Sequence, residues 1–211
     1  MGLKKFRYLA LGDSYTIGEK IPPSLSWPNQ LVDLLKLKGI HLTNPIILAK
    51  TGWTTRNLLE ALENSAIQGP FDLVTLLIGV NNQYQNLGLE EYCEDFSQLL
   101  KLAVDYASKG AKQVMVLSIP DWGVTPFADG KNRGKIKKQI NRFNVVNRNE
   151  TQRKDAHYFD ITTISRRLGN DPNYLSDDLL HPSEKMYTLW VNLIFPTAYK
   201  ILRNPKGKTD G

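Results

Sequence analysis

At 211 residues the chain is long enough for one well-buried domain and too short for two of ordinary size. With 41% hydrophobic and 23% charged residues it has the make-up of a soluble globular protein, and no apolar run approaches the length of a membrane span. A single cysteine, Cys93, excludes an internal disulfide and a cysteine-based zinc cage.

Taken in order, the chain alternates short apolar runs with helical patterns. Residues 1–7 are basic, but only Tyr8 to Leu11 follow before Gly12-Asp13, so no secretory h-region forms and a cytoplasmic location is the expectation. Residues 6–11 read as a first strand, which Gly12 is expected to stop. Trp27 to Lys38 follows as an amphipathic helix ended by Gly39. Residues 45–49 make a second strand, followed by a glycine turn at Gly52 and a helix through Leu58, Leu59 and Leu62.

The run 71–78 is the most strongly apolar and predicts a central strand, because strands covered on both faces lose their alternation. It ends in Gly79-Val80-Asn81-Asn82. Helical spacing then runs over 90–108, where Cys93 is expected as a small buried hydrophobe. Residues 113–119 form a fourth strand and lead into a loop over 120–130. The following segment, 131–142, is the densest in basic residues of a chain with formal charge +6, and helix is expected through Val146. Its spacing puts Ile136, Ile140 and Phe143 on one face and the lysines on the other. With no aromatics interleaved for base stacking, this reads as a solvated face, and no nucleic-acid partner is expected. A fifth short strand covers 156–160, and 183–202 is helical, with Ser183 as cap and a kink expected at Pro196.

Strands alternating with helices at this spacing predict an α/β fold, a parallel sheet covered on both sides. One domain is expected over 1–204, with a polar tail over 205–211 and a second basic group at 203–208.

The chemistry-bearing residues fall at the strand ends. Ser14 follows the first strand, Gly52 the second and Asn81 the third, so a parallel sheet gathers them on one edge, where ligands bind in open α/β sheets. Near the carboxyl terminus stands Asp178-Leu179-Leu180-His181-Pro182. A carboxylate three residues before a histidine can bond its near ring nitrogen and leave the far one free as a base. A serine hydroxyl needs such a base to become a nucleophile, and the oxyanion that then develops needs donors already in place. A serine amide, a glycine amide and an asparagine side chain supply three. Asp177 remains a rival to Asp178, Gly52 can equally serve only to turn the chain, and a plain turn role is the lesser alternative for Asn81. Three histidines without a close pair leave no metal site, and no phosphate-binding glycine fingerprint is present, so no cofactor is expected.

Gly12-Asp13-Ser14, Gly52, Gly79-x-Asn81 and Asp178-x-x-His181 resemble, in order, the four blocks of the SGNH hydrolase superfamily, the GDSL esterases and lipases. The resemblance implies a flavodoxin-like three-layer α/β/α sandwich with a five-stranded parallel sheet of order 2-1-3-4-5. It implies Ser14 as nucleophile, His181 as base and Asp178 as its partner, with the Ser14 amide, Gly52 and Asn81 as oxyanion hole. Two positions depart from the family pattern: Tyr15 replaces a leucine, and Asn82 replaces the acid that commonly follows Asn81.

The implied activity is hydrolysis of a small-molecule carboxylic ester through an acyl-enzyme. Short acyl esters, acetylated sugars, lysophospholipids and thioesters all remain open. Asn82, Tyr84 and Trp122 are assigned to substrate contact, and the loops over 82–88, 120–130 and 169–177, with Phe127 and Tyr174, are expected to shape the pockets. The competing reading is a non-catalytic carbohydrate- or lipid-binding module on the same fold. No integral membrane association is expected, and nothing in the sequence fixes the oligomeric state.

Overall fold

Four short runs built on Leu, Val, Ile and Ala, and a fifth, His157-Tyr158-Phe159, make the sheet. In the computed structural model, which describes residues 5–203, β1 (Tyr8–Asp13), β2 (Ile46–Lys50), β3 (Leu73–Leu77), β4 (Val114–Leu117) and β5 (His157–Phe159) pair in parallel in the order β2-β1-β3-β4-β5. Every residue of β1, β3 and β4 is buried, including the polar Asp13 and Thr75, which are hydrogen-bonded to the Tyr15 amide and the Tyr8 hydroxyl, whereas β2 lies at an edge and is only partly covered.

The helices are α1 (Ser14–Ile17), α2 (Trp27–Leu37), α3 (Thr55–Glu63), α4 (Val80–Tyr84), α5 (Leu89–Tyr106), α6 (Arg133–Arg153), α7 (Thr162–Leu168) and α8 (Glu184–Arg203). Helix α2 packs on α8, and α5 packs on both α3 and α6, giving two helical layers around the sheet. Trp27, Leu31 and Leu35 of α2 and Trp190 and Ile194 of α8 are fully buried in the resulting core. Among the described residues no helix is long and apolar enough to cross a membrane.

Several expectations change. The first strand does not stop at Gly12; it runs on to Asp13, in register with Lys50 of β2. Gly12 is needed for close approach instead, since a Cβ there would lie 2.1 Å from Thr16 Oγ1 and 2.6 Å from the Leu77 carbonyl oxygen. Helix α6 continues to Arg153, beyond Val146, because Asn147 and Thr151 extend its buried face. Helix α8 spans Pro196, in keeping with the helical pattern over 183–202, and Pro196 and Asn192, whose carbonyl the proline leaves without a donor, both face solvent. The Ser183 hydroxyl donates to the Asn173 carbonyl at 3.0 Å, and only its backbone carbonyl serves the helix, accepting from the Tyr187 amide. Cys93 is half-buried. Helix α7 is an addition, and the expected tail over 205–211 lies outside the described residues.

The strand order creates the site. The strands all run parallel, but the order in which they are added reverses between β1 and β3, so the loops leaving these two strands diverge to opposite sides and open a crevice at their carboxyl ends. Register aligns Asp13 with Lys50 and Gly12 with Leu77. Ser14, Gly52 and Asn81 therefore leave three neighbouring strand ends.

Candidate active site

Asp13 turns β1 into α1. Its backbone is extended (φ −129°), and its Oδ1 accepts the Tyr15 amide at 3.0 Å, which caps the helix and leaves Ser14 as the first helical residue. An amide at that position has no intrahelical carbonyl to bond. The Ser14 side chain is almost fully buried yet borders an open cleft.

His181 arrives from the other end of the chain on a tight turn. Leu179 adopts a left-handed conformation (φ 58°), uncommon for a bulky residue, and the Asp178 carboxylate holds the turn by accepting the Leu180 and His181 amides on Oδ1, both at 2.9 Å. Ser176 clasps the same turn: its hydroxyl lies 2.8 Å from Asp178 Oδ1, and its amide donates to the His181 carbonyl at 2.8 Å. The remaining Asp178 oxygen, Oδ2, is 2.6 Å from His181 Nδ1. With Nδ1 donating to Asp178, Nε2 is the accepting nitrogen, and it lies 3.0 Å from Ser14 Oγ. The structure thus brings Ser14, His181 and Asp178 into one hydrogen-bonded line, while Asp177 faces solvent.

Burial would raise the Asp178 pKa, but the bonds from the His181 side chain, the two amides and Ser176 outweigh it and hold the carboxyl at about 2. Asp13 is the opposite case. Burial dominates there, the Tyr15 amide offsets only part of it, and the pKa rises to about 7. Burial likewise pushes the Tyr15 hydroxyl up, with the charges of Asp13 and Asp178 adding to the effect. The Tyr15 ring centroid lies 5.5 Å from that of His181 and 6.3 Å from that of Trp190, so the tyrosine fills the wall behind the imidazole.

Gly52 and Asn81 border the same cleft as Ser14 and His181. Gly52 has φ +82°, so a glycine suits the backbone there irrespective of any amide donor. Asn81 Nδ2 donates one hydrogen to the Trp53 carbonyl at 2.9 Å, which orients the amide group and leaves its second hydrogen uncommitted by that bond.

Asn82 corrects the sequence expectation. It does not reach the cleft as a substrate contact but is fully buried, its Oδ1 accepting the Thr55 amide at 3.0 Å and its Nδ2 donating to Thr55 Oγ1 at 2.8 Å. Thr55 Oγ1 in turn donates to Asp95 Oδ2 at 3.1 Å, and Asp95 pairs with Arg56 at 2.6 Å. An amide at position 82 fits because a carboxylate is already present at Asp95, one hydrogen bond further along. The chain of bonds ties the turn carrying Asn81 to the turn after Gly52.

Tyr84 and Trp122 do line the cleft, with Phe127, Tyr15, Val80 and Leu180. Trp122 Nε1 donates to Gln83 Oε1 at 2.7 Å, and Gln83 is held by Gln139 of α6 at 3.0 Å. With its polar edge taken, Trp122 shows the cleft only its ring, packed edge-on with Tyr84 (5.3 Å) and Phe127 (6.1 Å). Tyr174 packs against the core instead, and from the loop over 169–177 no side chain borders this cleft. Ser176, Trp53 and Thr55 escaped the sequence reading, and only the Ser-x-Asp spacing of Ser176 to Asp178 signalled any of them. Among the described residues no group of three or more His, Cys, Asp or Glu side chains could hold a metal ion.

Residues 10–189 match the GDSL-like lipase/acylhydrolase family. The chain belongs to that family. A curated relative of this GDSL-like chain, an arylesterase of Vibrio mimicus, is 32% identical over 110 residues, or 52% of this chain and 53% of that protein, so the match spans about half of the relative's length. Among solved structures, TesA superposes with a TM-score of 0.73 at 17% identity over 93% of this chain and 99% of its own. The acetylxylan esterase Axe2 of Geobacillus stearothermophilus gives 0.73 at 17% over 94% and 96%. At such identities these two establish the GDSL-like fold.

Proposed function

We propose that this family member is a cofactor-free serine esterase acting on neutral carboxylic esters with a short or planar acyl group. The observation that carries the reading is the line Ser14 Oγ to His181 Nε2 to Asp178, with spacings of 3.0 and 2.6 Å, opening on an apolar cleft. His181 Nε2 takes the Ser14 proton as Oγ attacks the ester carbonyl carbon, and the carbonyl π electrons move onto oxygen. The resulting oxyanion is met by the Ser14 and Gly52 amides and the second Asn81 Nδ2 hydrogen. Asp178, ionised at any working pH, holds the tautomer and stabilises the imidazolium. As the tetrahedral intermediate collapses, His181 returns the proton to the departing alcohol, and water repeats the sequence to free the acid and Ser14.

Substrate class follows from the cleft. It encloses about 210 Å³, below the roughly 300–1,000 Å³ of sites for drug-sized ligands, and its lining holds no lysine, arginine or carboxylate. A charged acyl group would be desolvated there without a partner. The aromatic wall suits a planar group, in keeping with the arylesterase name of the Vibrio relative. The test is Ser14→Ala with a panel of p-nitrophenyl esters: hydrolysis falls to background, and a fluorophosphonate probe that labels the wild type leaves the variant unlabelled. Wild-type turnover by Ser14→Ala would overturn the reading, and an unlabelled wild type would favour the binding module.

A further inference from the structure

Helix α6 carries seven basic side chains against the single acid Glu150. Some are accounted for: Arg133 pairs with Asp129, Arg153 with Glu150, and Arg148 lies over the Tyr158 ring. Lys135, Lys138 and Arg142 are exposed and have no ionic partner among the described residues. These three share a stripe with Gln139, which lies four residues after Lys135 and three before Arg142. Gln139 is the residue that bonds Gln83 of α4, next to Tyr84 on the cleft rim. These three unpaired charges therefore flank the cleft mouth, while the seventh base, Lys137, is also exposed and unpaired among the described residues but borders a different hollow beside Gly134 and Asn170.

The mouth itself is apolar and exposed. Among the described residues seven large hydrophobic side chains stand in solvent, and three of them are Tyr84 (50%), Phe127 (42%) and Leu179 (40%). They are neighbours: the Phe127 amide donates to the Leu179 carbonyl, and Trp122 contacts both Tyr84 and Phe127. Exposed apolar side chains that cluster mark an interaction surface, whereas single ones are ordinary. The left-handed backbone at Leu179 keeps this leucine at the tip of its turn.

An apolar tip beside a stripe of uncompensated cations matches the two layers of one partner, acyl chains beneath anionic headgroups. A nucleic acid would use the cations but has no use for aliphatic Leu179, and the stripe offers no stacking aromatics. We propose that the cleft mouth and the Lys135/Lys138/Arg142 flank of α6 dock the protein on an anionic lipid surface, with Phe127 and Leu179 entering the headgroup region. The cleft then opens toward the membrane, from which a neutral ester can enter.

The experiment is co-sedimentation of the full chain with vesicles of phosphatidylcholine alone or mixed with phosphatidylglycerol, at low and high salt. Binding is expected to the mixed vesicles only, weakening as salt rises. Replacing Lys135, Lys138 and Arg142 together by Gln should lower partitioning about a hundredfold, at roughly fivefold per charge, and leave hydrolysis of soluble p-nitrophenyl acetate at the wild-type rate. Leu179→Asn, which tolerates the left-handed backbone, should weaken vesicle binding with the charges intact. Equal partitioning to both vesicle types, no partitioning, wild-type binding by the triple variant, or tighter binding to a DNA duplex than to the mixed vesicles would each overturn the proposal. The vesicle readout needs no catalysis, so it stands or falls separately from the esterase reading.

Discussion

His181 Nε2 and Ser14 Oγ are 3.0 Å apart across 167 residues of chain, a contact made only when the first strand and the last turn of the fold are both in place. If the pair acts as proposed, Ser14→Ala and His181→Ala each reduce kcat by roughly 10⁴-fold or more, and the double variant is scarcely worse than either single one. Asp178→Asn, which removes the acceptor that fixes the tautomer, costs about 10⁴-fold. Steady-state kinetics on one soluble ester test all four variants, and losses that multiply in the double variant would show that the residues do not work as a unit.

Asn81→Ala removes a donor whose orientation depends on the Trp53 carbonyl. Loss of one oxyanion donor costs about 2.7–4 kcal/mol of transition-state stabilisation, so kcat should drop roughly 10²–10³-fold with KM little changed. A rise in KM at constant kcat would mean that Asn81 binds the ground state instead.

Much of this site was legible because strand ends and residue order are local properties of sequence. Ser14, Gly52 and Asn81 each follow an apolar run, and a parallel sheet has one edge on which they can meet. What was not legible depended on long-range partners. Asn82 looked like a cleft residue because nothing nearby shows that Thr55, 27 residues away, takes both ends of its amide. Helix α7 lacks a clear apolar period and owes its place to distant bonds. Ser118 Oγ accepts the Ile161 and Thr162 amides, and Asp121 pairs with Arg166 at 2.8 Å. Tyr174 is aromatic and in a loop, yet which way such a ring turns is decided by packing.

The Asn82–Thr55–Asp95 chain predicts a non-additive pair. Asn82→Asp restores the acid common in the family but loses the Nδ2 donor to Thr55 and adds a buried charge close to Asp95. It should destabilise the fold by about 1–3 kcal/mol. Adding Asp95→Asn, which moves the carboxylate rather than doubling it, should recover part of that loss. Chemical denaturation of both singles and the double gives the coupling, and simple additivity would refute the account.

Asp13 and Asp178 impose opposite pH dependences. Asp178 is held at about 2 in the fold against 3.8 in the open chain, so its contribution is present above pH 4 and is lost as pH falls toward 2. Asp13 rises from 3.8 to about 7, so the folded state holds its proton more tightly than the unfolded one, and stability declines as pH climbs from about 4 to about 7. The span amounts to on the order of 4 kcal/mol. Asp13→Asn keeps the oxygen that caps Tyr15 and cannot ionise. It should match the wild type only near pH 3, below the open-chain value of 3.8, and exceed it by a margin that grows from about pH 4 to about pH 7, flattening the decline in thermal melts taken across that range.

Trp122 separates two uses of the aromatic wall. Its ring closes the cleft between Tyr84 and Phe127, while its indole nitrogen is tied through Gln83 to α6, so truncation enlarges the cavity without freeing a cleft residue to refill it. Trp122→Ala should therefore shift the optimum of an acyl-length series to longer chains and weaken discrimination in favour of planar acyl groups. Each additional methylene accommodated gains about 0.8 kcal/mol, or roughly fourfold in kcat/KM. If the ring instead carries the alcohol side of the ester, the acyl series is unmoved and the leaving-group series changes. Running both series on Trp122→Ala and on Gln83→Leu, which releases the indole while keeping the ring, tells lost volume from lost orientation: the first variant changes which acyl length is best, whereas the second lowers rates across the series and leaves the optimum in place.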